Sequence, residues 1–293
     1  MSLWVAFTLL AAFMQSWRNA FQKRLSGSVD AYGVTLARFL WAGPMAVAWL
    51  ATMYAIVPAP LPVLTLPLAG YVLGGAVAQI VATVLMITLF RMKGFATGVG
   101  LARSEALIAA ILGVIVFGEH LSLMAWAGVV IGAIAVWIMK GIKQQNMPTG
   151  RTLLIGLGSG IFFALTTLSV RQATHLMPAL PFLHAAGWVL AASIVFQTLI
   201  LALWLGATRP ATLTTLITRP GLSLPISLAS FLGSLGWFNA VSLQQVALVK
   251  TLGQVEILIT LLIARYWLKD PFTRRDITGL VLVSLAAVLV LWA

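Results

Sequence analysis

Two glutamates stand in apolar surroundings that would penalise a charge. Glu105 lies in GLARSEALIAAIL (residues 100–112) and Glu256 in TLGQVEILITLLI (residues 251–263). An ionisable side chain at bilayer depth is costly, so each marks either a site that exchanges a proton or ligand, or a polar tie between helices. At helical spacing Glu105 shares a stripe with Gly98, Ala102, Ala109 and Gly113, and Glu256 with Val249, Gly253, Thr260 and Ala264. Small residues on one face admit a second helix or a cavity. Both roles therefore stay open, coupling and packing. Arg103 points about 200° away from Glu105 at 100° per residue, and is expected to snorkel to the headgroups. Lys250 and Gln254 share a face by i, i+4 spacing. The lysine either attracts a substrate carboxylate or snorkels to the outer interface.

Two further pairs repeat the i, i+4 spacing: Gln79 with Thr83, and Ser230 with Ser234. Such amides and hydroxyls can line a cavity for a zwitterion or cross-link helices. Trp17, Trp41, Trp188 and Trp237 lie within apolar runs, where they could wall or gate a site for an aromatic or apolar group, or simply pack. Enzymatic chemistry finds no support. The chain has no cysteine, no Walker A sequence and no HExxH. No aspartate falls within an apolar run, and His120, His175 and His184 lack metal-ligand spacing. Gly156, Gly158 and Gly160 resemble a phosphate loop only on paper, having no strand before them and no lysine after. No cofactor and no metal are expected.

The elements that position these residues follow from composition. Of 293 residues, 61% are hydrophobic and 8% charged, and the mean hydropathy is +1.04; a soluble domain carries about 25% charged residues. The apolar runs are continuous, without period-two alternation, so bilayer-spanning helices of about 20 residues are expected. Ten are predicted, at about 3–22, 33–57, 67–90, 96–117, 121–139, 152–173, 180–205, 222–241, 246–267 and 276–292. MSLWVAFTLLAAFMQ has no basic segment before its apolar run, so it reads as the first span and not as a cleaved signal. Lys23, Arg24, Arg91, Lys93, Lys140, Lys143, Arg151, Arg209, Arg219, Lys269, Arg274 and Arg275 all fall in odd-numbered connections. Positive residues stay cytoplasmic, which puts both termini outside. The net charge of +12 is thereby accounted for without a nucleic acid partner. Trp4, Trp126, Trp137, Trp204, Trp267 and Trp292 suit an interfacial belt.

Shifted by 151 residues, the second half falls on the first over its third to fifth helices: Glu105 meets Glu256, Glu119 meets Asp270, and Gly128 meets Gly279. Nearer the front, Gln22 can pair with Gln172 and Trp41 with Trp188. Each copy holds five crossings, an odd number, so the copies enter the membrane from opposite sides. The expected fold is all-α and polytopic, with ten transmembrane helices in two inverted five-helix repeats, residues 1–143 and 144–293.

With this architecture, LARSEALIAAILGVIVFGEHLSLMAWAGVVIGAIAVWI resembles the EamA-type branch of the drug/metabolite transporter superfamily. LARFLWAG (residues 36–43) resembles the arginine-bearing start of that family's second helix. FMQSWRNAFQKRL and the ARSE segment are similar to the YddG-type aromatic amino acid exporters. In the second half HAAGW replaces the arginine-bearing pattern, so Arg38, a coupling or structural candidate, has no mirror. The resemblance implies gradient-driven export or facilitated diffusion of small metabolites. The expectation is a monomeric secondary transporter of the bacterial inner membrane, moving amino acids outward by alternating access, aromatic and other neutral ones first. Its partners would be a small-molecule substrate and the bilayer. The alternative is proton-coupled efflux of lipophilic cationic drugs, with Glu105 or Glu256 as countercharge; a non-transporting membrane scaffold is a distant third.

Overall fold

The computed structural model describes residues 2–92, 105–139, 150–267 and 274–292. Gly98, Ala102, Arg103, Lys93, Lys140, Lys143, Lys269 and Asp270 lie outside these residues. Every regular element among the described residues is a helix: α1 (Leu3–Leu25), α2 (Ala31–Phe39), α3 (Ala42–Ile56), α4 (Leu66–Met92), α5 (Glu105–Phe117) and α6 (Leu123–Met139) in the first half. The second half holds α7 (Gly150–His175), α8 (Phe182–Thr208), α9 (Pro210–Thr218), α10 (Pro220–Leu243), α11 (Val246–Gly253), α12 (Glu256–Trp267) and α13 (Arg274–Leu291). Five are long and apolar enough to cross a membrane: α2 and α3 taken together, α4, α7, α8 and α10. α5, α6 and the end of α13 are shorter apolar helices.

Two predicted helices are broken. The run expected over 33–57 divides at Leu40 and Trp41. Pro44 has no N–H for the Leu40 carbonyl, and its ring would collide with that carbonyl in a continuous helix. The Trp41 N–H finds Ser227 Oγ instead, at 3.1 Å. The run expected over 246–267 divides at Gln254 and Val255, where backbone bonds tighten to i→i−3: Gln254 to Thr251, Val255 to Leu252 and Ile257 to Gln254. In addition, α9 occupies a connection predicted without structure. Pro210 and Pro220 open α9 and α10, where a missing N–H costs nothing.

α1 packs on α10, α4 on α7, α3 on α8, and α6 on α13. The first two contacts need glycine. A Cβ at Gly236 would meet the Phe7 carbonyl and Ala11, and one at Gly75 would meet Ser169. Backbones this close also admit hydroxyl ties, Thr166 Oγ1 to the Gly75 carbonyl at 3.3 Å and Ser159 Oγ to the Ala82 carbonyl at 2.9 Å. The main core runs through Phe39, Phe90, Leu168, Leu190 and Ile194.

Polar contacts sort the connections into two ends. At one, Lys23 Nζ donates to the Phe90 carbonyl at 2.8 Å, and Arg209 pairs with Asp30 at 3.0 Å. Asp30 also caps α2, accepting from the N–H groups of Tyr32 and Gly33. At the other, Arg171 pairs with Glu119 at 2.9 Å and donates to the carbonyls of Val241 and Gln244. Glu119 follows a turn made by Gly118 at φ 64°. Burial pushes the Glu119 carboxyl above its ordinary value, more strongly than Arg171 pulls it down.

Candidate functional site

The site begins with a polar stripe on α1. Gln15, Arg18, Asn19 and Gln22 follow i, i+3, i+4, i+7 spacing, the signature of one helix face. That face turns inward, and Arg18, Asn19 and Gln22 are each at most 2% exposed. The stripe was open to view in the sequence, yet Gln15, Arg18 and Asn19 were not among the predicted site residues. They line a central cavity together with residues of α2, α4, α5, α7, α10 and α11. About 590 Å³ lies between its walls, open mouth included.

Its charged lining is Arg18, Arg38, Lys250 and Glu105. Lys250 Nζ meets Glu105 Oε1 at 2.8 Å and sits 4.0 Å from the centroid of the Trp237 ring, a cation–π contact. Thr167 Oγ1 donates to the same Glu105 oxygen at 2.9 Å. Trp237 is oriented from behind, its Nε1 donating to Gln15 Oε1 at 2.8 Å. Gly253 makes room for that ring, since a Cβ there would meet the Trp237 six-membered edge. Arg38 Nη1 donates to Thr83 Oγ1 at 2.7 Å, and the Thr83 hydroxyl donates in turn to the Gln79 backbone carbonyl. Gln79 is fixed in turn by Gln197 Nε2 at 2.8 Å. Met86, Phe163 and Phe238 supply apolar wall.

Glu256 lies just outside. Gln15 Nε2 and Asn19 Nδ2 donate to its two oxygens at 2.6 and 3.0 Å, and Ser16 Oγ to its carbonyl at 3.2 Å. It opens α12, where the helix dipole favours a carboxylate. Asn19 Oδ1 accepts from Arg18 at 3.0 Å, so Asn19 links Glu256 to the cavity arginine.

Of the predicted residues, the structure brings Gln79, Ser234, Trp237, Lys250, Glu105 and Arg38 to the cavity. Lys250 does not snorkel; it turns inward to Glu105. Gln254 parts from Lys250 because the break after Gly253 resets the helical phase, and its side chain packs on Gly132 of α6. Thr83 and Ser230 are buried behind the wall. Trp41 donates through Nε1 to Ser223 Oγ at 2.9 Å, tying α3 to α10. Trp188 donates to the Tyr54 hydroxyl at 2.9 Å, within a cluster where His184 Nε2 meets the Val57 carbonyl. Trp17 stacks on Phe21, 5.8 Å between centroids. Thr166, Thr167, Phe163, Met86 and Phe238 also line the cavity; as ordinary residues of apolar helices, they gave no local signal.

No family model matches the sequence, and no curated protein matches it. The fold has a solved counterpart. A crystal structure described only as that of a protein superposes with TM-score 0.70 at 15% identity, over 98% of each chain. At that identity the likeness is one of fold alone.

Proposed function

We propose that the chain is a ten-span secondary transporter, built from inverted repeats at residues 1–143 and 144–293, that carries amino acids across the bacterial inner membrane by alternating access. One observation carries the reading: a cavity with ionisable side chains in its walls, set among apolar helices contributed by both halves. A scaffold has no use for such a cavity, and charges are kept in apolar surroundings where solutes or ions must pass. The helix pairing supports the repeats. Exchange the halves and α1 on α10 becomes α7 on α4, α5 on α7 becomes α12 on α1, while α6 on α13 and α3 on α8 map onto themselves. The interruption at Gln254–Val255 suits the discontinuous helices on which such transporters build their sites.

In this reading the substrate carboxylate docks against Arg18 and Arg38, and its side chain lies against Phe163, Trp237 and Phe238. Asp30–Arg209 and Glu119–Arg171 act as latches at opposite ends, each joining one half to the other. Parting one while the other holds exposes the cavity to one side at a time. Efflux of lipophilic cations fits less well, because three lining groups are cationic and Glu105 is already engaged by Lys250.

Uptake of labelled amino acids into proteoliposomes, with and without a pH gradient, tests the proposal. Saturable flux of aromatic or other neutral amino acids is the expected result. Flux confined to lipophilic cations would replace it with the drug-efflux reading, and no flux of either class would leave the scaffold.

A further inference from the structure

Building on that transport reading, we infer that the cavity prefers an organic monoanion with an apolar or aromatic body, a carboxylate without an amine, over zwitterionic amino acids. The inference starts from a charge count. Among the described residues, three cations line the cavity, Arg18, Arg38 and Lys250, and Glu105 is the carboxylate beside them. One layer back, Glu256 reaches Arg18 through Asn19. Counting both carboxylates, one positive charge is left over.

Geometry assigns that surplus to Arg38. Lys250 is answered by Glu105 at 2.8 Å and by the Trp237 face. Arg18 shares Asn19 with Glu256. Arg38 is 2% exposed and its partner Thr83 is neutral. The Phe39 ring lies 5.2 Å from its guanidinium carbon, and its Nε has no hydrogen-bond partner. Arg18 and Glu105 are the charged groups that act on it. A guanidinium presents planar paired donors that match a carboxylate edge, and a buried charge of this kind calls for a counter-ion.

The rest of the wall defines the body of that anion. Phe163, Trp237, Phe238 and Met86 offer apolar and aromatic surface, which favours a ring over a polar chain. An ammonium gains little here. It would enter beside two guanidinium groups, and the Glu105 oxygen bonded by Lys250 and Thr167 is already doubly occupied. A monoanion neutralises the assembly; a zwitterion leaves the surplus in place; a cation adds to it.

Three compounds that share a benzene ring and a two-carbon arm isolate the charge: 3-phenylpropanoate, phenylalanine and phenethylamine. Their binding to the purified full chain is measured by tryptophan fluorescence and calorimetry, and their flux in proteoliposomes. The expected order is anion, zwitterion, cation, with the anion half-saturating at a concentration about tenfold or more below phenylalanine. Arg38→Gln is expected to remove that preference, while the ranking in the unaltered protein tests the inference without a variant. Tighter binding of phenylalanine or of the amine overturns the inference and leaves transport standing. So does failure of phenylpropanoate to bind while amino acids are carried. Absence of saturable flux for all three and for a wider amino acid panel overturns the transport reading, and this inference with it.

Discussion

Glu105 and Glu256 occupy matching positions in the two halves, yet their surroundings differ in kind. Glu105 faces the cavity and is paired with a cation that also lines it. Glu256 is wholly buried outside the cavity, and its two oxygens accept from side-chain amides of α1. The carboxylate whose charged partner lines the same cavity can respond to whatever enters, because an incoming group can compete for either member of the pair. The carboxylate held by two amides at a helix start is bound to groups that do not leave the protein. Matching positions in the sequence leave the role of a charge open; its neighbours set what it can do.

The comparison is most directly broken at Glu256. Glu256→Ala removes the acceptor of two side-chain bonds and leaves the Gln15 and Asn19 amides without it at the cavity wall, an expected loss of about 2 to 4 kcal/mol. It should appear as a large fall in the detergent melting temperature. Glu256→Gln should recover part of this, since one amide oxygen replaces one carboxylate oxygen. Lost flux in Glu256→Gln with unchanged melting would instead move this residue into the transport machinery.

A smaller stability effect but a larger functional one is expected at Glu105. Glu105→Gln leaves Lys250 without its carboxylate, at a cost of about 1 to 3 kcal/mol because the Trp237 face and the cavity remain available to it. Adding Lys250→Met should restore most of that stability without restoring flux. A double-mutant cycle on melting, run alongside proteoliposome flux, reads both. Additive losses would mean that the two groups do not act as a pair.

The latches should matter least for stability. Burial raises the Glu119 carboxyl above its ordinary value, so between the two values the folded chain binds more protons than the unfolded one. Its contribution is therefore fully present below the ordinary carboxylate range and is lost as pH rises through the raised value. Glu119→Gln should flatten that part of the melting profile. Asp30→Asn keeps an α2 cap and loses an ion pair whose arginine side chain is 44% exposed. The expected change is at most about 1 kcal/mol, checked by the same melting measurement at low and high salt.

Much of the helical layout was legible beforehand because lipid-compatible helices are long, apolar and bounded by charge. The ends of α4, α7, α8 and α10 fall within three residues of those predicted. The two breaks were not anticipated. Pro44 was visible, but its consequence depends on whether another helix can take up the stranded Trp41 amide, and Ser227 lies 186 residues away. At the site, an intramembrane charge is conspicuous wherever it occurs, so Glu105, Arg38 and Lys250 could be singled out. Arg18 passed unnoticed because basic residues in α1 read as the end of a span. Thr167 and Phe163 are ordinary in any apolar helix.

By itself the sequence determined the all-helical construction of the described residues and the length and apolar character of their main helices, since those follow from local composition and from the cost of an unsatisfied backbone in apolar surroundings. Tertiary structure alone decided partnership: that Lys250 turns inward to Glu105, that Glu256 accepts from the amides of α1, and that Arg38 hydrogen-bonds a neutral hydroxyl. Pairing depends on which helix faces come together across separations of up to 241 residues, and no local pattern encodes that.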